Sequence, residues 1–191
     1  MTTPRQLVEI MAEILNVSEP TVVVHDRNLA AAQLRSMAGR GRAAAIVTAE
    51  DAANLLVAVA ASVSVKDSAI AVRHYGNNLR VVHPFLSGIR RYDRLPIPHS
   101  FQHALCTLIE AAALEEIDSE RFINIAFLGP FPRAEIELKS KDTVTKVSYV
   151  TSSRKGGVEQ HNRLVTGDLQ RMTTVTQNTI FRLGKAIGSV S

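Results

Sequence analysis

The sequence predicts an α+β protein whose first half is helical and whose second half carries a small antiparallel sheet packed on helices. Residues 3–61 place apolar side chains at helical spacing behind threonine and serine caps. Residues 122–150 contain three short β-type runs separated by brief loops. Between these two regions, glycines and prolines within residues 76–98 interrupt both patterns, so this stretch is expected to be irregular.

The first helix is predicted to begin after Thr3, which can cap it, with Pro4 at the first helical position. The segment Asn16-Val17-Ser18 ends this helix. Ser18 is then predicted to cap a second helix that runs to about Leu34. Thr48 and Asp51 form a capping-box pattern for a third helix that ends near residue 61, and a short helix follows around residues 65–75.

The second half begins with an amphipathic helix over residues 100–117. Strands are predicted at 122–128, 133–139 and 143–150, with a possible fourth over 168–175. A closing helix is predicted from residue 176, with Gly188 just past its end. In the second strand Ala134, Ile136 and Leu138 alternate with charged residues, which indicates one buried and one solvent-facing side. Tyr92, within the sequence RRYDR, is expected at the solvent in a loop.

Three segments follow from these patterns: a helical domain over residues 1–72, a basic connecting segment over 73–98, and an α+β domain over 99–191. The last of these is our candidate for oligomerisation or effector sensing.

Composition indicates a folded globular protein and excludes a disordered one, because 46% of the 191 residues are hydrophobic and 21% are charged. No apolar run reaches the roughly 18 residues of a membrane span, and no basic leader precedes an apolar core at the N-terminus.

The single cysteine, Cys106, excludes an internal disulfide and favours the cytoplasm. A net charge of +4 permits a polyanionic partner.

The stretch LVEIMAEILNVSEPTVVVHDRNLAAAQL, residues 7–34, resembles the helix-turn-helix and winged-helix DNA-binding domains of bacterial and phage regulators. The shared pattern is an apolar helix, the turn Asn16-Val17-Ser18, then Thr21-Val22 and Leu29. Where these families place an apolar residue, this sequence has Asp26. Either the second helix is rotated so that His25 packs inward, or a nearby arginine pairs with Asp26.

The resemblance implies that the second helix enters the major groove of DNA. Its outward residues would then be Thr21, Val23, Val24, Arg27 and Asn28. Arg27 would suit guanine, Asn28 adenine and the valines a thymine methyl group. Arg35, Arg40 and Arg42 would contact phosphates or reach into the minor groove, since GRGR is similar to the core of minor-groove arms.

The uneven distribution of charge along the first 42 residues indicates that one edge of the helical region faces a polyanion. Residues 25–42 hold four arginines and one acidic residue, whereas residues 1–24 hold one arginine and three glutamates. The alternatives are a three-helix packing module with a solvated basic loop, and an RNA-binding surface. Sequence-specific binding of double-stranded DNA by a non-enzymatic, homodimeric transcriptional regulator is the leading hypothesis, and overall resemblance suggests a phage-related origin. A phage-type DNA-packaging subunit that uses the same helices is the alternative.

No catalytic motif and no cofactor-binding motif occurs, since G-x-S-x-G, the lysine-containing phosphate loop and H-E-x-x-H are all missing. His99, His103 and Cys106 lie at i, i+4 and i+7 and could bind zinc with a fourth ligand such as His83. A small buried thiol at Cys106 is the favoured interpretation, so no metal is expected.

Overall fold

The computed structural model describes residues 2–37, 45–77, 79–81, 87–141, 143–151 and 169–188. Within these residues, seven α-helices and a five-stranded antiparallel sheet make an α+β fold. Helices fill the N-terminal half and four of the five strands lie in the C-terminal half, so the predicted fold class is confirmed. None of the described helices combines the length and the apolar character that crossing a membrane requires.

The helices are α1 (Pro4–Leu15), α2 (Glu19–Ala31), α3 (Ala49–Ala61), α4 (Ser68–Ala71), α5 (Arg90–Asp93), α6 (Phe101–Ala113) and α7 (Gln177–Gly188). A 3-10 turn, Val65–Asp67, precedes α4, and a π-helical turn, Val72–Asn77, follows it. The strands are β1 (Leu79–Val81), β2 (Phe122–Gly129), β3 (Arg133–Lys139), β4 (Val144–Thr151) and β5 (Arg171–Thr176). Their order across the sheet is β1-β4-β3-β2-β5.

The predicted caps of α1 and α3 are confirmed, while that of α2 differs. Thr3 and Gln6 form a capping box on α1, and Thr48 and Asp51 form one on α3. The Ser18 hydroxyl makes no bond to the helix backbone and lies 2.7 Å from the Thr21 hydroxyl oxygen. Helix α2 ends at Ala31, three residues before the predicted end, because Gln33 has a left-handed φ of 58°.

The sheet presents one face to the helices. Ala134, Ile136 and Leu138 of β3 are buried, which confirms the predicted alternation. Phe101 of α6 lies across this face, with its ring 5.7 Å from Phe127 and 5.3 Å from Tyr149 between centroids. Strand β1 lies within the region predicted to be irregular and pairs with the end of β4. Three residues are too few for a period-2 pattern to be read.

Helix α3 lies at the centre of the packing, because every residue from Asp51 to Ala58 is buried. It contacts α1 and α2 from the N-terminal part of the chain, and α6, α7, β2 and β5 from the C-terminal part. Buried residues from Leu7 to Leu183 therefore form one hydrophobic cluster. The three segments predicted from the sequence share this core.

Tyr92 is buried, so the predicted solvent position was wrong. It is 1% exposed, and its hydroxyl oxygen lies 2.7 Å from that of Tyr149. The Tyr149 hydroxyl is in turn 3.0 Å from Nε2 of His99, whose Nδ1 lies 2.8 Å from the Pro96 carbonyl oxygen. A carbonyl oxygen can only accept, so Nδ1 carries a proton, and in the neutral ring Nε2 then accepts from the Tyr149 hydroxyl.

Helices α6 and α7 approach closely at Gly184. A Cβ atom at this position would lie 2.7 Å from the backbone nitrogen of Ala113 and 2.7 Å from the Cβ of Ala112. Both contacts are shorter than real Cβ atoms tolerate, and one is to backbone. Only glycine therefore permits this helix spacing.

We expect Gly184→Ala to lower the free energy of unfolding by about 1–3 kcal/mol, because overpacking outweighs the gain of roughly 1 kcal/mol in helix propensity. Urea unfolding followed by circular dichroism measures this. Lys185→Ala, at the exposed neighbouring position, is the control and should change stability by no more than about 0.5 kcal/mol. A stabilised Gly184→Ala variant would contradict the close approach.

The neutral, buried His99 makes stability depend on pH. Burial lowers the pKa of His99 below its ordinary value, although its bond to the Pro96 carbonyl opposes the shift. The unfolded chain then binds the proton more readily than the folded one. This contribution to stability is complete above the unfolded pKa of about 6.5 and is lost as pH falls toward the lower folded pKa.

We therefore expect the free energy of unfolding to fall between neutral and mildly acidic pH, with His99 contributing at most about 1.4 kcal/mol per pH unit. In His99→Gln this part of the slope should disappear, because glutamine does not titrate. His74→Gln, at an exposed histidine, should keep the wild-type slope. Urea unfolding across this pH range tests the expectation, and equal slopes for all three proteins would refute it.

Candidate nucleic-acid interface

Helices α1 and α2 are joined by the three residues Asn16, Val17 and Ser18. Asn16 adopts the left-handed conformation with φ 51°, which asparagine tolerates better than most residues. Val17 then donates its backbone N–H to the Ala12 carbonyl at 3.0 Å, which closes the end of α1. Val22 and Leu29 of α2 enter the same buried cluster as Leu7 and Met11 of α1. The predicted helix, turn and helix are thus present as local structure.

The solvent side of α2 is a narrow stripe. Pro20, Val24, Arg27 and Ala31 recur at helical spacing and are exposed. Val24 is 37% exposed, and Arg27 forms no ion pair with any residue in the described part of the chain. Glu19, at the first position of α2, is also exposed and adds one negative charge.

Thr21, Val23 and Asn28 were predicted to face outward with these residues and are placed differently. Thr21 is half-buried, and its hydroxyl shares a hydrogen bond with Ser18. Val23 is half-buried and packs against the hydrophobic cluster. The Asn28 amide donates from Nδ2 to the carbonyl oxygen of Val65 at 2.7 Å, so it bonds the protein itself. Val24 and Arg27 are therefore the predicted α2 residues that reach solvent most fully.

Both explanations offered for Asp26 occur together. His25 packs inward and is 4% exposed, and burial lowers its pKa. Asp26 Oδ1 lies 3.2 Å from Nε of Arg35, and the two side chains are 14% and 19% exposed. Burial raises the pKa of Asp26, an effect that Asp51 reinforces and the Arg35 guanidinium opposes. Arg35, predicted to contact DNA, thus neutralises a half-buried carboxylate on α2.

The remaining predicted residues, Arg40 and Arg42, lie outside the described residues. One exposed cation beside α2 was missed by sequence reasoning, namely Lys66 in the 3-10 turn. Its turn contacts α2 across 37 residues of sequence separation, from Asn28 to Val65. A long-range contact of this kind leaves no local pattern that could have identified it.

The zinc alternative loses one ligand, because both ring nitrogens of His99 are used by Pro96 and Tyr149. Within the described residues, no group of three or more potential ligands lies close enough to hold a metal ion. Burial, with further contributions from Glu50 and Glu110, raises the pKa of Cys106 to about 12. The thiol is therefore protonated at neutral pH and is a poor metal ligand.

Comparisons with protein-family models, with curated proteins and with solved structures found no match.

We expect Asp26→Ala to lower the free energy of unfolding by about 1–3 kcal/mol, because Arg35 would keep a half-buried charge without its partner. Glu9→Ala is the control, since the Arg5–Glu9 pair at 3.0 Å is exposed and should contribute under about 0.5 kcal/mol. Urea unfolding at neutral pH gives both values. If Asp26→Ala were as harmless as Glu9→Ala, the pair would have no structural role.

Proposed function

We propose that this protein binds double-stranded DNA through the unit of α1 and α2, as a non-enzymatic transcriptional regulator. The observation that carries the proposal is Arg27 on α2, the helix that follows the three-residue turn, because its guanidinium is exposed and forms no ion pair with any residue that the structure describes. Such a group can donate two parallel hydrogen bonds to the acceptor pair on a guanine edge. Val24, one turn earlier on the same side, suits a thymine methyl group.

The other residues of α2 take supporting roles in this proposal. Arg35 holds Asp26 and thereby neutralises the one acidic residue in the middle of α2. Arg40 and Arg42 retain the role that the sequence suggests, as phosphate contacts. Thr21 and Val23 are secondary contacts, since both are half-buried.

A homodimer in the cytoplasm completes the proposal. Two exposed reading residues on one short helix discriminate only a few base pairs. Regulators that use such helices gain specificity by placing two copies on half-sites one helical turn apart.

The test is selection of bound genomic fragments, followed by titration of the selected duplex and a mixed-sequence duplex by fluorescence anisotropy. We expect Arg27→Ala to lower the discrimination between these two duplexes by about 1–3 kcal/mol. Arg5→Ala, at an exposed arginine on α1, is the matched control and should leave the discrimination unchanged.

Two outcomes would contradict the proposal. If the wild-type protein bound neither duplex, or if its binding did not weaken between roughly 50 and 200 mM salt, DNA would not be its ligand. If Arg27→Ala and Arg5→Ala had the same effect on both duplexes, Arg27 would not read bases.

A further inference from the structure

The 3-10 turn Val65–Asp67, which we call the flanking turn, packs along one side of α2. Its main anchor is the Val65 carbonyl oxygen, which accepts a hydrogen bond from Nδ2 of Asn28 at 2.7 Å. On α2, Asn28 lies one helical turn beyond Val24. The flanking turn therefore borders the exposed stripe of α2.

A second connection fixes the flanking turn to the same helix. The Ser68 hydroxyl donates to the Val65 carbonyl oxygen, and Nδ1 of His25 lies 2.9 Å from the Ser68 oxygen. Because the serine proton is used on Val65, Nδ1 of His25 is the donor in this contact. His25 and Asn28 thus anchor one short segment from positions three residues apart on α2.

Lys66 follows the anchored carbonyl directly and is exposed. It forms no ion pair within the described residues. Arg27 and Asn28 lie at i+3 and i+4 from Val24, so they flank Val24 on its two sides. Arg27 therefore places a cation within the stripe on one side of Val24, and the flanking turn that carries Lys66 is bonded to Asn28 on the other side. Two carboxylates lie close to these cations in the sequence. Asp67 follows Lys66 directly, and Glu19 is the first residue of α2.

We propose that Lys66 contacts a DNA phosphate beside the groove that α2 occupies, and that Asn28 is the positioning residue that holds Lys66 there. This inference rests on the proposed DNA binding. It also changes the role of Asn28, since an amide that donates to Val65 does not donate to adenine. The sugar-phosphate strands border the groove, so a helix that reads bases needs cations at its flanks.

The experiment is a salt titration of binding to a fluorescein-labelled duplex of mixed sequence. In Lys66→Gln, the slope of log affinity against log salt should fall by about 0.9, the value for one phosphate contact. Lys66→Arg should restore the wild-type slope, because it keeps the charge. Lys141→Gln is the matched control, since Lys141 is an exposed lysine between β3 and β4, and it should keep the wild-type slope.

Asn28→Ala should lower the slope by the same amount as Lys66→Gln, and the double variant should lower it no further. A merely structural role of Asn28 would reduce stability without reproducing this salt signature. Asn28→Leu, which has a similar size, adds no charge and removes the donor, serves as a second variant if Asn28→Ala does not fold. Lys66 itself is exposed, so its variants are expected to fold.

The outcomes separate this inference from the function on which it rests. Wild-type protein that does not bind the duplex would overturn the proposed function and the inference together. Wild-type binding with equal slopes for Lys66→Gln and Lys141→Gln would overturn the role of Lys66 alone. A wild-type slope in folded variants of Asn28 would overturn the positioning role and leave Lys66 as a phosphate contact.

Discussion

The position of α2 depends on two buried polar side chains of α3. The Asp51 carboxylate accepts hydrogen bonds from the Ser36 backbone at 2.6 Å and from the Thr48 backbone at 2.9 Å. Asn54 donates to the Leu34 carbonyl at 2.8 Å. A buried carboxylate or amide that lost these partners would be costly, so the segment that leaves α2 is fixed to α3. That constraint also places Arg35 beside Asp26.

The same helix connects α2 to the rest of the fold. The Asn54 oxygen accepts a hydrogen bond from Nε2 of Gln102 on α6 at 2.5 Å. Apolar residues on the remaining sides of α3 pack against α6, α7 and the sheet. The exposed stripe of α2 is consequently positioned by a continuous core, rather than by its own contacts with α1 alone. A short amphipathic helix gains most of its stability in this way.

Local rules predicted most of the fold and little of the candidate interface. Capping boxes at Thr3 and Thr48 and the alternation along β3 depend on residues close in sequence, so their bounds could be read directly. The hydrogen bonds of Asn28 and Tyr92 join residues 37 and 57 positions apart in the sequence. Periodicity gives the direction in which a side chain points, but it does not say whether another segment of the chain lies there. For Asn28 such a segment is present, because Val65 lies against it. For Arg27 no such segment lies among the residues that the structure describes.

Because Cys106 is the sole thiol of the chain and is largely covered, its rate of chemical labelling reports how well the surrounding helices stay packed. A protonated, half-covered sulfur reacts slowly with alkylating reagents, because the thiolate is the nucleophile. Cys106 lies on α6, the helix that α3 and α7 both contact. Labelling by a maleimide would therefore be slow in the folded state and would accelerate when these three helices separate. The chain thus carries a natural probe for local opening at its centre, without any added label site.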